Sequence, residues 1–262
     1  MCLLINYIFF LILFKFFFFY ININIKKSSN FNYDKIPVGY YDKIFKKEKG
    51  IQSKWHHTHY NYVKKIMGSY TKHLDLACAG GTFIGNLSDN KKSFGVDISI
   101  KQINYAKKIY QNKNHKFFHI KKNIIPFKTD SFDVITNLQL MEHLTIEDNL
   151  KLMKEIYRVL KKRGKLIITT PNYSSPWVLI EKIVNFFGGV NYNEQHISFF
   201  NKNKMKHFFK NFGFKKVTIS TNMSFAPFFA VFNWKLPDLI QHIEDKYFNN
   251  SYRLFLVVVC EK

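Results

Sequence analysis

Cysteine is scarce in this sequence: only Cys2, Cys78 and Cys260 occur, odd in number and far apart. That excludes a disulfide framework and a CxxC zinc pattern, and it makes a reducing, cytoplasmic setting the expectation. Arginine is as scarce, appearing only at Arg158, Arg163 and Arg253 in a chain with 40 Lys and Arg. Acids number 18, so the net charge is +22, a balance that invites a nucleic-acid partner. A surface that reads phosphates or guanines ordinarily uses the arginine fork. Here lysine rises together with Asn, Ile, Phe and Tyr, as AT-rich codons produce, so nucleic acid is not the expected partner. Gly (11) and Pro (6) are also few; no Gly/Ser linker divides the chain, and no internal repeat appears. Apolar residues at 47% against 22% charged rule out wholesale disorder and suit one domain with modest additions.

Residues 2–21, CLLINYIFFLILFKFFFFYI, hold fifteen Leu, Ile or Phe against one Lys and one Asn. Each such apolar residue favours insertion by about 0.3–0.6 kcal/mol, and a central Lys opposes it by about 3 kcal/mol. Residues 1–25 are therefore expected to be either a membrane anchor of adequate length or a leader translated from too early a start codon. No small-x-small cleavage site follows. Lys26, Lys27 and Lys35 just beyond the run would leave the bulk of an anchored chain on the cytoplasmic face.

Residues 26–70 read as a helical extension, with Tyr60, Val63 and Ile66 on one face of WHHTHYNYVKKIMGSY. The adjacent His56 and His57 do not share a helix face, and these two and His59 have no local acid or cysteine partner, so no metal is expected there. From residue 73 short apolar runs alternate with helical patterns. Strands are expected at 73–77, 93–97, 117–120, 132–137, 165–170, 214–220 and 254–260. A helix follows Thr82. Another is capped by Ser99, with Gln102 completing a capping box and Ile100, Ile103, Ala106 and Ile109 on its stripe. A third opens at Thr145 with Asp148, carries Ile146, Leu150, Met153, Tyr157 and Leu160, and stops at Gly164. Strands separated by helices of this length imply a doubly wound, mostly parallel α/β sheet covered on both faces. The stretches 172–212 and 222–252 are elaborations that could roof a sheet edge, within a domain running from 71 to 262.

Two motifs carry chemistry. In LDLACAGGT, residues 74–82, a strand ends in a small-residue turn that opens a helix, so backbone can approach a ligand closely. Asp75 adds a carboxylate whose desolvation needs a use. In GVDIS, Asp97 ends the second strand, where the crevice of a doubly wound sheet lies and an acid can accept both hydroxyls of a ribose. Together they describe a site for an adenosine-containing ligand. The full GxGxxG fingerprint is absent, so a bound pyrophosphate is not required.

LDLACAGG, GVDIS with its following IxxAK, IPFKTDSFDVI, MEHL and EIYRVLKKRGKLIITTPN occur in one order and at one spacing. In these pieces the chain resembles the class I S-adenosylmethionine-dependent methyltransferases, in particular their type 11 small-molecule branch, and in part the ubiquinone-pathway O-methyltransferases. The resemblance covers nearly all the chain beyond residue 70. It implies a seven-stranded Rossmann-like sheet whose final strand, within LFLVVVC, is antiparallel. It implies S-adenosyl-L-methionine as cofactor, with its methionine part wrapped by Asp75, Ala77, Cys78, Ala79, Gly80 and Gly81. Asp97 would hold the ribose, Ile98 would lie on the adenine, and Asn137 and Leu138 would flank the sulfonium. Ala77 and Ala79 stand where the family has glycine, which the turn accommodates if both keep negative φ. The ubiquinone-pathway enzymes use an extra Glu before their EH pair for a metal; that position is Gln139, so no metal is expected. The acid that commonly precedes the LPF motif is replaced by Lys121 or Lys122.

Methyl transfer needs in-line alignment, exclusion of water and, for an oxygen or nitrogen nucleophile, removal of a proton. His143, in the EH pair, and His196, in EQHISFF, are the expected bases. Cys78 reads as a buried small residue. The expected acceptor is a small molecule or a lipid or glycan precursor. An RNA or protein methyltransferase, or a cofactor-fold protein that binds without catalysis, are the alternatives. Against amino-nucleobase methylation, strand four ends NLQL rather than an NPPY-like motif.

Overall fold

The structure is a computed structural model and describes residues 36–121, 124–187, 195–247 and 253–262. Two N-terminal helices, α1 (Tyr40–Lys46) and α2 (Gly50–Met67), precede the sheet. Then come β1 (Lys72–Leu76), the single turn α3 (Thr82–Gly85), β2 (Lys92–Asp97), α4 (Ile100–Tyr110), β3 (His115–His119) and β4 (Phe132–Leu138). After a 3-10 turn at Met141–His143, α5 (Ile146–Val159) leads to β5 (Leu160–Pro171), α6 (Trp177–Phe187) and α7 (Lys202–Phe209). The last elements are β6 (Lys216–Asn222), a 3-10 turn (Ala226–Val231), α8 (Leu236–Tyr247) and β7 (Phe255–Glu261).

The strands form one seven-stranded sheet in the order β3-β2-β1-β4-β5-β7-β6. β1 to β5 pair in parallel, and β7 runs antiparallel to both β5 and β6. This is the Rossmann-like methyltransferase sheet expected from the sequence. Central strands buried on both faces explain the run LIITT in β5 and LVVVC in β7. One face carries Leu74, Leu76, Val96, Ile135, Leu166, Ile168 and Val258, packed with Leu152, Met153 and Ile156 of α5 and Met205 and Phe209 of α7. On the other, Val134 and Ile167 pack on Val63 and Met67 of α2 and Phe83 of α3.

Several local readings change. Thr145 does cap α5, its hydroxyl accepting from Asp148 N–H at 3.1 Å. The buried face of α5 is Leu152, Met153, Ile156 and Val159, however, while Ile146 and Leu150 stay exposed. α5 stops at Val159 without Gly164, because Leu160 already pairs with Phe132 as the start of β5. On α4, Ile103 and Ala106 are buried but Ile100 and Ile109 are exposed. Gln102 forms no capping box. Its amide is taken by the N-terminal segment, accepting from Gly39 N–H at 3.1 Å and donating to the Pro37 carbonyl at 3.3 Å.

The membrane expectation is also corrected. Among the described residues no helix is long and apolar enough to cross a membrane. The run at 2–21 that prompted the expectation lies outside the described residues, as does Lys122.

Candidate active site

β1 runs out into the turn Ala77–Gly81, at the carboxyl rim of the sheet. Ala77 (φ 55°), Ala79 (φ 44°) and Gly81 (φ 78°) are all left-handed. The expectation that both alanines keep negative φ is therefore overturned. The physical reason is the tightness of the turn, which must bring Cys78 N–H to the Val96 carbonyl (3.1 Å) and Ala79 N–H to Asp97 Oδ2 (2.9 Å). Each alanine accepts about 1–2 kcal/mol of left-handed strain to do so. Gly81 has no such latitude: a Cβ there would lie 2.8 Å from the Phe117 ring and 2.9 Å from Ala106. Cys78 is buried, and that burial holds its thiol well above the ordinary range, so it is a packed, inert sulfhydryl. Its Sγ would meet a Cβ on Gly95 at 2.7 Å, which accounts for glycine in β2 opposite Asp75.

Asp97 faces this turn. Besides Ala79 N–H it accepts Ser99 N–H on Oδ1 at 2.8 Å. The Ile98 N–H also bonds this carboxylate. Burial raises its pKa, opposed by those backbone bonds. Ile98, next along, is 47% exposed, an apolar side chain open to a flat ring. Asp75 is buried, and burial pushes its carboxyl up to about 7 against the opposing hydrogen bond from Thr136.

Asn137, the penultimate residue of β4, pairs beside Leu76 of β1. It is fully buried, and neither its amide oxygen nor its nitrogen has a partner among the described residues. A buried amide with both ends orphaned is a group shaped for a ligand or water. Leu138 follows, packed against the α2-side core. The N-terminal segment covers the turn from outside: a Cβ on Gly80 would come within 3.5 Å of Gly39 Cα. Fully buried Asp42 of α1 anchors this cover, accepting the hydroxyls of Tyr105 (2.7 Å) and Tyr110 of α4.

The histidines expected as bases come together across the rim. Gln139 (φ 54°) is a fourth left-handed residue there and turns β4 into Met141–His143. The Glu142 carbonyl accepts N–H groups from Ile197 (2.8 Å) and Ser198 (3.0 Å), which docks the His196 segment on the EH pair. The His143 and His196 ring centroids are 4.8 Å apart. His143 Nδ1 lies 3.2 Å from the Gln195 carbonyl; burial, then the neighbouring His196, depresses its pKa to about 3. His196 Nδ1 lies 3.0 Å from Glu181 Oε1 and 2.8 Å from the Tyr173 hydroxyl. Glu181 Oε2 in turn accepts from Trp177 Nε1 (2.8 Å) and Tyr173 (3.2 Å). With His196 donating from Nδ1 to Glu181, its Nε2 is the proton acceptor.

Glu181, Tyr173 and Trp177 were not singled out in the sequence. The signal available was one acid, Glu181, within the apolar helix WVLIEKIV, four residues after Trp177. Glu142 itself is buried; burial raises its carboxyl to about 7, against the pull of His196, and it accepts the Thr170 hydroxyl at 2.9 Å. One donor atom each from Glu142, His143 and His196 lie within 4.8 Å of one another, a set that could hold a metal ion.

The rim thus carries the Ala77–Gly81 turn, Asp97, Asn137 and the His143–His196 pair, and the profile of a methyltransferase domain matches residues 43–219. The chain belongs to the methyltransferase domain family. The cofactor of this methyltransferase domain is S-adenosylmethionine, and the orphaned Asn137 amide beside the turn fits such a ligand. A demethylmenaquinone methyltransferase from Lactococcus lactis is 32% identical over 142 residues, 48% of this chain and 56% of its own. An uncharacterized protein of Methanocaldococcus jannaschii is 34% identical over 116 residues, 44% of this chain and 46% of its own. The chain thus spans about half the length of the curated relatives it matches. A SAM-dependent methyltransferase structure from Archaeoglobus fulgidus shares its fold, with a TM-score of 0.53 at 17% identity over 77% of this chain and 90% of that one.

Proposed function

We propose that this methyltransferase transfers a methyl group to an oxygen or nitrogen nucleophile of a small molecule or a lipid or glycan precursor. The observation that carries the reading is the junction of the two site halves: the Ala77–Gly81 turn with Asp97 and Asn137, and the His143–His196 pair docked on the same rim. The bound cofactor supplies an electrophilic methyl on a sulfonium. Asp75, Ala77, Cys78, Ala79, Gly80 and Gly81 shape the pocket for its amino-acid end. Asp97 holds the ribose hydroxyls, Ile98 covers the adenine, and Asn137 and Leu138 border the reacting centre.

His196 is the base: Glu181 fixes its tautomer and supports positive charge on the ring, as a carboxylate behind an imidazole does. His143 is neutral at physiological pH and sits beside it as a hydrogen-bonding wall. Behind Glu181 lie Trp177, Trp55, Phe228 and Phe255, with Trp55 and Phe255 ring centroids 5.0 Å apart. This packed core keeps water from the back of Glu181; the acceptor reading is a small molecule or a lipid or glycan precursor. A half-length match to a demethylmenaquinone methyltransferase agrees with that class.

The test is purified full-length protein incubated with methyl-labelled cofactor and cell extract, followed by fractionation. Label in the small-molecule or lipid fraction is expected. Label in RNA or protein would overturn the acceptor class. Binding of S-adenosylhomocysteine with no label transferred would leave a binder without catalysis.

A further inference from the structure

On the sheet face that carries Asp75, four buried polar side chains are linked in a line. Ser93 of β2 lies 3.3 Å from His73 Nδ1, His73 Nε2 lies 2.8 Å from Thr136 Oγ1, and Thr136 lies 2.6 Å from Asp75 Oδ1. Ser93, His73 and Thr136 are completely buried, and Asp75 is 3% exposed. A neutral imidazole has one N–H and each hydroxyl one O–H, so the direction of the whole line is set by its end. With Asp75 a carboxylate, Thr136 donates to Asp75, His73 donates from Nε2 to Thr136, and Ser93 donates to a bare Nδ1. With Asp75 protonated, by one proton taken from solvent, every donor reverses and the His73 proton resides on Nδ1. His73 stays uncharged in both states, since burial, then His115, holds its pKa near 3.

We propose that His73 and Thr136 are positioning residues that hold Asp75 ionised for the ammonium of the cofactor's amino-acid end, with the His73 tautomer reversing when Asp75 takes up a proton. This rests on the cofactor reading above. The other groups facing Asp75 are Asp97 from β2, Tyr60 from α2 and Cys78 from the turn. Burial raises the tyrosine and the thiol out of the working range, so both stay neutral. Asp97 would act on the ribose of any adenosine ligand alike. A ligand lacking the amino-acid end therefore isolates Asp75.

The experiment uses the full chain with two probes, S-adenosylhomocysteine and 5′-methylthioadenosine, titrated calorimetrically from pH 8 to pH 6. With Asp75 near 7, its ionised fraction falls about tenfold over that range, and so should the affinity for S-adenosylhomocysteine relative to methylthioadenosine. In ¹⁵N-histidine spectra of the free protein, His73 should pass from the Nε2–H to the Nδ1–H form on acidification and return when S-adenosylhomocysteine is added at pH 6. Thr136→Val should move the affinity step to higher pH, and Thr136→Ser should restore it. A constant affinity ratio of the two probes, or a fixed His73 tautomer, overturns the proposal while the cofactor reading stands. These two measurements need no variant. Failure of both probes to bind at any pH overturns the cofactor reading and this proposal together.

Discussion

Replacing Ala77 and Ala79 by glycine should make the protein more stable. Both residues hold positive φ, 55° and 44°, where an L side chain costs about 1–2 kcal/mol. Glycine removes that cost but adds about 0.5–1 kcal/mol of disorder to the unfolded chain. The difference is about 0.5–1 kcal/mol in favour of each variant, so about 1–2 kcal/mol for the pair. In a domain of this size that is about 2–8 °C in melting temperature. The hydrogen bonds of the turn are made by backbone N–H groups of Cys78 and Ala79, which glycine retains at position 79. Thermal and urea unfolding of Ala77→Gly, Ala79→Gly and the double variant measure the effect. As a control of opposite sign, Ala79→Val places a β-branched residue at the same positive φ and should melt below wild type. A double glycine variant melting at or below wild type would refute the strain argument, because nothing else about the turn changes.

Other outcomes follow from the same geometry. Asp97→Ala removes both an expected ribose acceptor and the anchor of Ala79 N–H, and should weaken S-adenosylhomocysteine about 10- to 100-fold by calorimetry; unchanged affinity would remove Asp97 from the site. His196→Ala should lower kcat by about 10²–10⁴, as loss of a positioned base does, while Glu181→Gln lowers it less and leaves cofactor affinity unchanged. Chelation with EDTA should leave activity intact, since His196 acts as the base with His143 as its neutral neighbour; loss of activity restored by a divalent ion would reassign Glu142, His143 and His196 as ligands. His59 is buried with its Nε2 2.9 Å from Thr169 Oγ1, and burial holds its pKa near 3. The folded state therefore keeps His59 neutral while the unfolded chain protonates it below about 6.5, so its contribution is complete above that pH and is lost as the pH falls. Between pH 6 and pH 4, His59→Asn should flatten the fall in stability by about 1.4 kcal/mol per pH unit.

Much of the scaffold was legible because periodicity and punctuation reported it directly. Each expected strand recurs within a few residues, from Lys72–Leu76 to Phe255–Glu261, since buried parallel strands must be continuous apolar runs. Helix faces were less legible. Ile146 and Leu150 match the periodicity but face solvent on α5, and Asn149 is buried instead, donating to the Met141 carbonyl at 2.9 Å. Gly164 looked like a helix stop because glycine serves that role, yet β5 begins earlier through pairing of Leu160 with β4. The histidine pair could be named from local sequence, but not the Glu181–Tyr173–Trp177 support, which exists only once α6 folds back on the His196 segment. The alanine dihedrals were misjudged for a related reason: the turn obeys Asp97 and Val96, contacts absent from any local window.

The insertion of β7 between β5 and β6 has a consequence for how the molecule is assembled. β6 is made before β7, its one sheet neighbour among the described residues, with 32 residues separating Asn222 from Phe255. A ribosome-bound chain that has just released β6 thus carries two open sheet edges, one on β5 and one on β6, that cannot satisfy each other until a later segment slides in between. The 32 residues between β6 and β7, which carry α8 and, beyond it, buried Arg253 held to Asp245 at 2.6 Å, must be made before that wedge arrives, so nascent-chain aggregation should peak in this interval and end as β7 emerges.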